Sequence, residues 1–203
     1  MARPRLLVFL KAARLGTVKT RLAATIGADA ALAAYRELVA ITLRSLIGLA
    51  PEIEVELRFA PDDARAELTP WLQPNWRAVP QGGGDLGARL THAFGSAFAD
   101  GCPRVVVIGS DCPHMTAADI RDAFGALEDT DVVLGPATDG GYWLLGLRAT
   151  HPELFTGIDW STPQVREQTL AQARSGGLGV RELRELSDVD TEAEWRTWRR
   201  LTA

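Results

Sequence analysis

The period of apolar positions along this chain switches repeatedly between that of a strand and that of a helix. Arg5–Leu10 is a short apolar run and reads as a first strand. From Asp29, a good N-cap, Leu32, Tyr35, Val39, Thr42 and Leu46 fall on one helical face, and Gly48 and Pro51 end the helix. Ile53–Phe59 alternates strictly, Ile-Glu-Val-Glu-Leu-Arg-Phe, and predicts a strand with one less buried face. Pro61-Asp62-Asp63 opens a short helix, Trp76–Pro80 is a weak strand, and the glycine run Gly82–Gly87 leads into a helix to about Ala99. Arg104–Ile108 is the clearest central strand. Thr116 and Asp119 form a capping box for a helix that buries Ile120, Phe124 and Leu127. Asp131–Pro136 and Tyr142–Leu147 read as strands, and Ser161, Pro163 and Gln164 start a helix with Pro163 in its first position. Val180–Leu183 is a late strand, and Thr191 and Glu194 cap a final helix whose Trp195 and Trp198 pack inward. Strands alternating with helices predict an α/β fold with a mostly parallel sheet covered on both faces. No linker or repeat interrupts the pattern, so residues 1–203 read as a single domain.

Composition narrows the function classes. With 46% hydrophobic and 24% charged residues the chain is an ordinary globular one. A net charge of −4 argues against a nucleic-acid binder, whose footprint would be a basic face. No apolar stretch approaches the roughly 20 residues of a membrane span. The run Leu6–Leu10 stops at Lys11, short of a signal-peptide core of roughly 7–15 residues, so the expected compartment is the cytoplasm. Cys102 and Cys112 are too few for a disulfide framework or a cysteine-rich zinc site.

Candidate chemistry gathers where strands end. Of the 22 basic residues only Lys11 and Lys19 are lysines, and both lie just after the first strand. Where arginine is the default cation, a retained lysine suits a job for a compact point charge, such as meeting phosphate oxygens. Asp111 follows the Val105–Ile108 run, so its carboxylate emerges at the carboxyl end of the sheet, where open α/β folds bind ligands. A lone carboxylate there suits Mg²⁺ or Mn²⁺, because such a cation takes few protein ligands and shares substrate phosphate oxygens. Asp188-Val189-Asp190 places two acids on one side of an extended backbone, and either could complete the site with Asp111. Asp139-Gly140-Gly141-Tyr142 sets a carboxylate beside two residues that admit close approach. Gly82-x-Gly84-x-x-Gly87 matches the dinucleotide fingerprint in letter, which keeps an NAD(P)-binding oxidoreductase open as a distant alternative. There is no Walker A sequence, and His92, His114 and His151 are scattered.

Five segments occur in an order that resembles a known family. They are Phe9-Leu-Lys11-Ala-x-x-x-Gly16-x-Val-Lys19-Thr20-Arg21-Leu22, Gly84-Asp85-Leu86-Gly87, Ile108-Gly109-Ser110-Asp111-Cys112-Pro113, Gly135-Pro136-Ala137-x-Asp139-Gly140-Gly141-Tyr142 and Asp188-Val-Asp190-Thr191. The chain is similar to DUF2064, also called radical-SAM/selenodomain-associated transferase 1, some of whose members are labelled arsenosugar-biosynthesis glycosyltransferases. Ala13 stands where that pattern usually has proline. The resemblance implies a GT-A (nucleotide-diphospho-sugar transferase) fold, a three-layer α/β/α sandwich. It further implies a metal-dependent transferase with a nucleotide-activated donor and a small acceptor. A glycosyltransferase is the expectation, with a guanylyltransferase-like nucleotidyltransferase as the alternative and a non-catalytic nucleotide-binding module as a third class. On that reading Lys19 and Arg21 hold donor phosphates, with Lys11 as a helper. Asp111 and Asp190 hold Mg²⁺ or Mn²⁺, and Gly83, Gly84 and Asp85 lie near the base or ribose. Asp139, with Gly140, Gly141 and Tyr142, faces the acceptor, and Asp111, Asp139 and Lys19 carry the catalysis.

Overall fold

The computed structural model describes residues 2–202; residues 1 and 203, the outermost positions of the expected domain, lie outside it. Seven strands form one sheet: β1 (Arg5–Lys11), β2 (Glu54–Ala60), β3 (Arg77–Pro80), β4 (Val105–Ile108), β5 (Val132–Pro136), β6 (Tyr142–Leu147) and β7 (Val180–Glu182). Their order is β3-β2-β1-β4-β6-β5-β7, parallel throughout except for β6, which runs antiparallel to both β4 and β5. The mostly parallel sheet is therefore present. From β1 the chain moves outward to β2 and β3, then returns to lay β4 on the other side of β1. That reversal opens a crevice beyond the carboxyl ends of β1 and β4, the usual ligand position in such sheets.

The described residues also form six α-helices around the sheet: α1 (Thr20–Ile26), α2 (Ala28–Leu46), α3 (Leu86–Ala99), α4 (Ala117–Ala126), α5 (Val165–Ser175) and α6 (Glu192–Thr202). Successive side chains of a strand point to opposite faces, and β1 shows the result. Leu6, Val8 and Leu10 pack with Tyr35, Val39, Leu43 and Leu46 of α2 and Ile120 and Phe124 of α4. Leu7 joins Leu90, Phe94 and Ala97 of α3 and Ala173 of α5 on the other face. Leu22 of α1 packs on Ala31 and Ala34 of α2, and Trp198 of α6 on Leu38 of α2.

Several boundaries differ from the sequence pattern for local reasons. Gly27, not Asp29, is the N-cap of α2, and Asp29 lies in its first turn. Pro163 precedes the N-cap Gln164 instead of opening α5. The segment after Pro61 coils as a 3-10 helix, Ala64–Trp71. The largest departure is β2: its polar positions Glu56 and Arg58 are as buried as its apolar ones, because Arg58 bonds Glu56 (2.5 Å) and Ser96 of α3 (2.6 Å). The capping box of Thr116 and Asp119 is present as expected, as is the Thr191–Glu194 cap of α6.

Candidate functional site

The segment after β1 that enters α1, the end of β4 and the segment before α6 converge at the reversal between β1 and β4. The segment after β1 turns at Gly16 and enters α1 through Lys19, whose backbone is left-handed, with φ 47° and ψ 46°. Lys19 is one of two non-glycine residues with positive φ among the described residues. The turn throws its side chain inward, where it is only 3% exposed. Its ammonium lies 2.8 Å from Asp111 Oδ2 and 2.5 Å from Asp190 Oδ1. Arg21, on the first turn of α1, is exposed, and its Nη1 reaches to 3.9 Å from Asp190 Oδ2.

The two carboxylates are held from different parts of the fold. Asp111 follows β4, and its backbone carbonyl accepts from Val189 N at 3.1 Å, which ties the 187–190 segment to the end of that strand. Glu194 of α6 accepts from the amides of Asp190 and Thr191 at 2.8 and 2.7 Å, fixing the backbone beneath Asp190. Asp188 is turned into the cluster. Burial first, and the charge of Asp111 second, push its carboxyl up to about 8. Burial alone would lower the Lys19 pKa. The charges of Asp111 and Asp190 outweigh it and hold the group above the ordinary lysine value, an ammonium throughout.

The arrangement fits a hard divalent cation. The donors are all oxygens, and two carboxylates already face one cation-sized point, filled here by the Lys19 ammonium as a stand-in ion. Among the described residues no three His, Cys, Asp or Glu side chains form a ready-made cage. One or two protein carboxylates completed by substrate oxygens is the manner of Mg²⁺.

The other expected residues lie on neighbouring segments at the carboxyl end of the sheet. Lys11 ends β1, exposed, with its backbone N–H donating to the Tyr35 hydroxyl (2.8 Å), which donates in turn to the Lys11 carbonyl (2.9 Å). Gly83, Gly84 and Asp85 precede α3, where Asp85 caps the helix by accepting from Ala88 N at 2.8 Å. Gln81 binds this loop to the sheet, donating to the carbonyls of Leu10 and Arg58 at 3.0 and 2.9 Å. Asp139 lies exposed in the turn from β5 to β6, accepts from Gly141 N at 2.9 Å, and is close enough for Asp188 to feel its charge. Gly140 and Gly141 share that turn. Tyr142 begins β6 with its hydroxyl buried beside Thr169 of α5, which raises its pKa, so it backs the turn instead of facing the crevice.

Sequence reasoning missed three supports of this site. Tyr35 read only as a buried helix position, Gln81 went unremarked before the glycine run, and the segment Asp159–Pro163 read as a helix start. That segment abuts Gly87 and Gly140, and those two glycines were its only signal.

Comparison with known proteins agrees with this architecture. A family-wide pattern described as "Uncharacterized protein conserved in bacteria (DUF2064)" matches residues 42–162. Among solved structures, a protein of Desulfovibrio desulfuricans G20, provisionally named a nucleotide-diphospho-sugar transferase, is 35% identical. Its TM-score is 0.92, over 100% of this chain and 88% of that one. Rv0371c of Mycobacterium tuberculosis H37Rv, solved in complex with manganese, shares 16% identity at a TM-score of 0.55, over 97% of each chain. The 4-diphosphocytidyl-2C-methyl-D-erythritol synthase of Anaerococcus prevotii DSM 20548 shares 10% identity at a TM-score of 0.65, over 99% of this chain and 98% of that one. The last two show the fold alone, and the fold is the expected GT-A type. No curated protein matches the chain. No helix among the described residues is long and apolar enough to cross a membrane. Matched over more than half its length by the family pattern, and end to end by a relative at 35% identity, the chain belongs to the DUF2064 family.

Proposed function

We propose that this protein is a metal-dependent transferase that takes a nucleotide-activated donor and moves its sugar to a small acceptor. The observation that carries the reading is the pair Asp111 and Asp190, set around one cation at the reversal between β1 and β4. The D. desulfuricans relative, named as a nucleotide-diphospho-sugar transferase, supports it. A divalent cation held by Asp111 and Asp190 would supply positive charge where the departing diphosphate gains its negative charge. The Lys19 ammonium, which would swing off that point as the cation enters, and Arg21 at its margin would hold phosphate oxygens, with Lys11 as a helper. The loop Gly83–Asp85 would border the base or ribose. In the reaction the bond from the sugar carbon to the phosphate oxygen breaks and a bond to the acceptor oxygen forms. Asp139, on a different turn, would take the acceptor's proton.

Nucleotidyl transfer, with release of pyrophosphate, is the second reading, supported by the shared fold of the A. prevotii synthase. The dinucleotide reading loses its footing: Gly82–Gly87 follows β3, an edge strand, whereas that fingerprint belongs at a crevice between central strands.

Calorimetric titration of nucleoside diphosphate sugars and nucleoside triphosphates, each with Mn²⁺ or with chelator, tests the proposal. Wild-type binding should require the cation, and Asp111→Asn should remove both the requirement and most of the affinity. Mn²⁺-dependent binding that survives in Asp111→Asn overturns the metal assignment. Asp139→Asn should keep donor affinity and lower turnover by roughly 10²–10⁴. A matching loss of donor affinity would place Asp139 in the donor site instead.

A further inference from the structure

The segment Asp159–Pro163 joins the short 3-10 helix Pro152–Phe155 to α5 and touches both the start of α3 and the turn from β5 to β6. On the donor side, Trp160 lies over Gly87 in the first turn of α3: a Cβ there would stand 2.9 Å from Trp160 Nε1 and 3.1 Å from the Phe155 carbonyl. On the acceptor side, Pro163 lies against Gly140, where a Cβ would stand 2.2 Å from the Pro163 carbonyl oxygen. Gly140 also has φ +88°, and its carbonyl accepts from Arg166 N at 3.0 Å. A side chain at either position would have to push this segment away. The two glycine turns that the sequence singles out are thus spanned by one segment.

That segment is rigidly held. Gln168 of α5 accepts from Asp159 N at 2.8 Å and donates to Asp159 Oδ2 at 2.7 Å. Thr162 Oγ1 donates to the Asp159 carbonyl at 2.7 Å, and Gln172 Nε2 to the Thr156 carbonyl at 2.9 Å. Between the two contact points sits Ser161, exposed, at φ +65°. It and Lys19 are the non-glycine residues held in the left-handed region among the described residues. Such strain persists only where the surroundings impose it, and it collects at binding sites. The Ser161 hydroxyl makes no hydrogen bond among the described residues, although Asp159, Trp160 and Thr162 around it are engaged through backbone or side chain.

We infer that Ser161 is a specificity-determining residue: it meets a hydroxylated group carried on the donor diphosphate, where the donor and acceptor sides join. This rests on the nucleotide-sugar reading above. A hydroxyl held in one orientation on a rigid segment recognises a substrate hydroxyl without first having to be ordered.

The test compares UDP-glucose, UDP-N-acetylglucosamine, GDP-mannose, ADP-glucose and dTDP-glucose, each against its own nucleoside diphosphate, by calorimetry with Mn²⁺. Ser161→Ala should weaken the bound nucleotide sugar about fivefold and leave the nucleoside diphosphate within about twofold. Ser161→Gly should show the same split while melting higher than wild type, because the left-handed backbone is natural to glycine. Gly87→Ala, which displaces Trp160, should weaken both ligands alike. A sugar-to-diphosphate affinity ratio unchanged by both Ser161 variants overturns the inference and leaves the donor reading standing. A wild type that binds none of these ligands overturns the donor reading, and the inference with it.

Discussion

Two clusters of buried charge are built on this one sheet, and they are built differently. In the first, Arg5, Arg58 and Arg77 meet Glu54, Glu56 and Asp100 between the strands and the α3 face. The closest pairs are Arg58 to Glu56 at 2.5 Å and Arg5 to Asp100 at 2.7 Å. Three cations face three anions, each cation is a planar fork, and Glu56 is 0% exposed. In the second, Asp111, Asp188 and Asp190 surround a single lysine at the open end of β1 and β4, with Arg21 only at the margin. The first matches arginines to acids around the fully buried Glu56 and Arg58, with Arg77 and Asp100 at its open edge. The second carries surplus acid around a compact, mobile point charge that a cation could replace. Charge balance and access, more than burial, separate a structural cluster from a binding one.

The sharpest way to break the comparison is Glu56→Ala. It strands the buried Arg58 without its carboxylate, while Arg5 keeps Glu54 and Asp100, and should cost about 3–5 kcal/mol in urea unfolding, with the nucleotide Kd of the folded fraction unchanged. A loss below about 1 kcal/mol, the worth of an exposed pair, would mean the cluster is wet and the contrast false. Lys19→Ala probes the other side. Without its ammonium the acids repel, and the loss should be about 2 kcal/mol in chelator. Millimolar Mn²⁺ should restore most of it and should raise the wild-type melting temperature far less. Equal Mn²⁺ effects on the two proteins would show that the carboxylates hold no metal.

A smaller effect comes from Asp119, an arginine-locked carboxylate away from both clusters. Burial alone would raise its pKa, but bonds from Arg184 (2.6 Å) and Thr116 outweigh that and hold it below the ordinary 3.8. A lowered carboxylate contributes stability that is full above the unfolded pKa and is lost as pH falls through the folded one. Asp119→Asn should therefore cost about 1 kcal/mol at pH 7 through the lost cap. Its deficit against wild type should shrink below pH 4 in thermal melts. A deficit that stays constant down to pH 2 would show that the Asp119 charge contributes nothing.

Much of this was legible in the chain itself, unevenly. Strands β1 and β4 declared themselves because both their faces are buried and their apolar runs are continuous. Asp111 followed from β4, since a residue just past a central parallel strand must emerge at the ligand end. The covered face of β2 was not legible. Its alternation reads as half exposed, and the partners that bury Glu56 and Arg58 come from β1, β3 and α3, far away in sequence. Helix α1 was missed because seven residues carry little helical periodicity, and its stability comes from Leu22 packing on α2.

The sequence by itself determined the alternation of strands and helices, the lysine-marked segment after β1, and the acids at the strand ends. These are local matters of periodicity, turn chemistry and charge type. Only the tertiary structure decided that Lys19 turns inward onto Asp111 and Asp190, that Asp190 meets the ammonium while burial raises the Asp188 pKa, and that Asp159–Pro163 touches both glycine turns. Each of those facts joins residues tens of positions or more apart. A carboxylate's ionisation and a glycine's necessity are set by what stands next to them in space, and the order of residues along the chain does not state that.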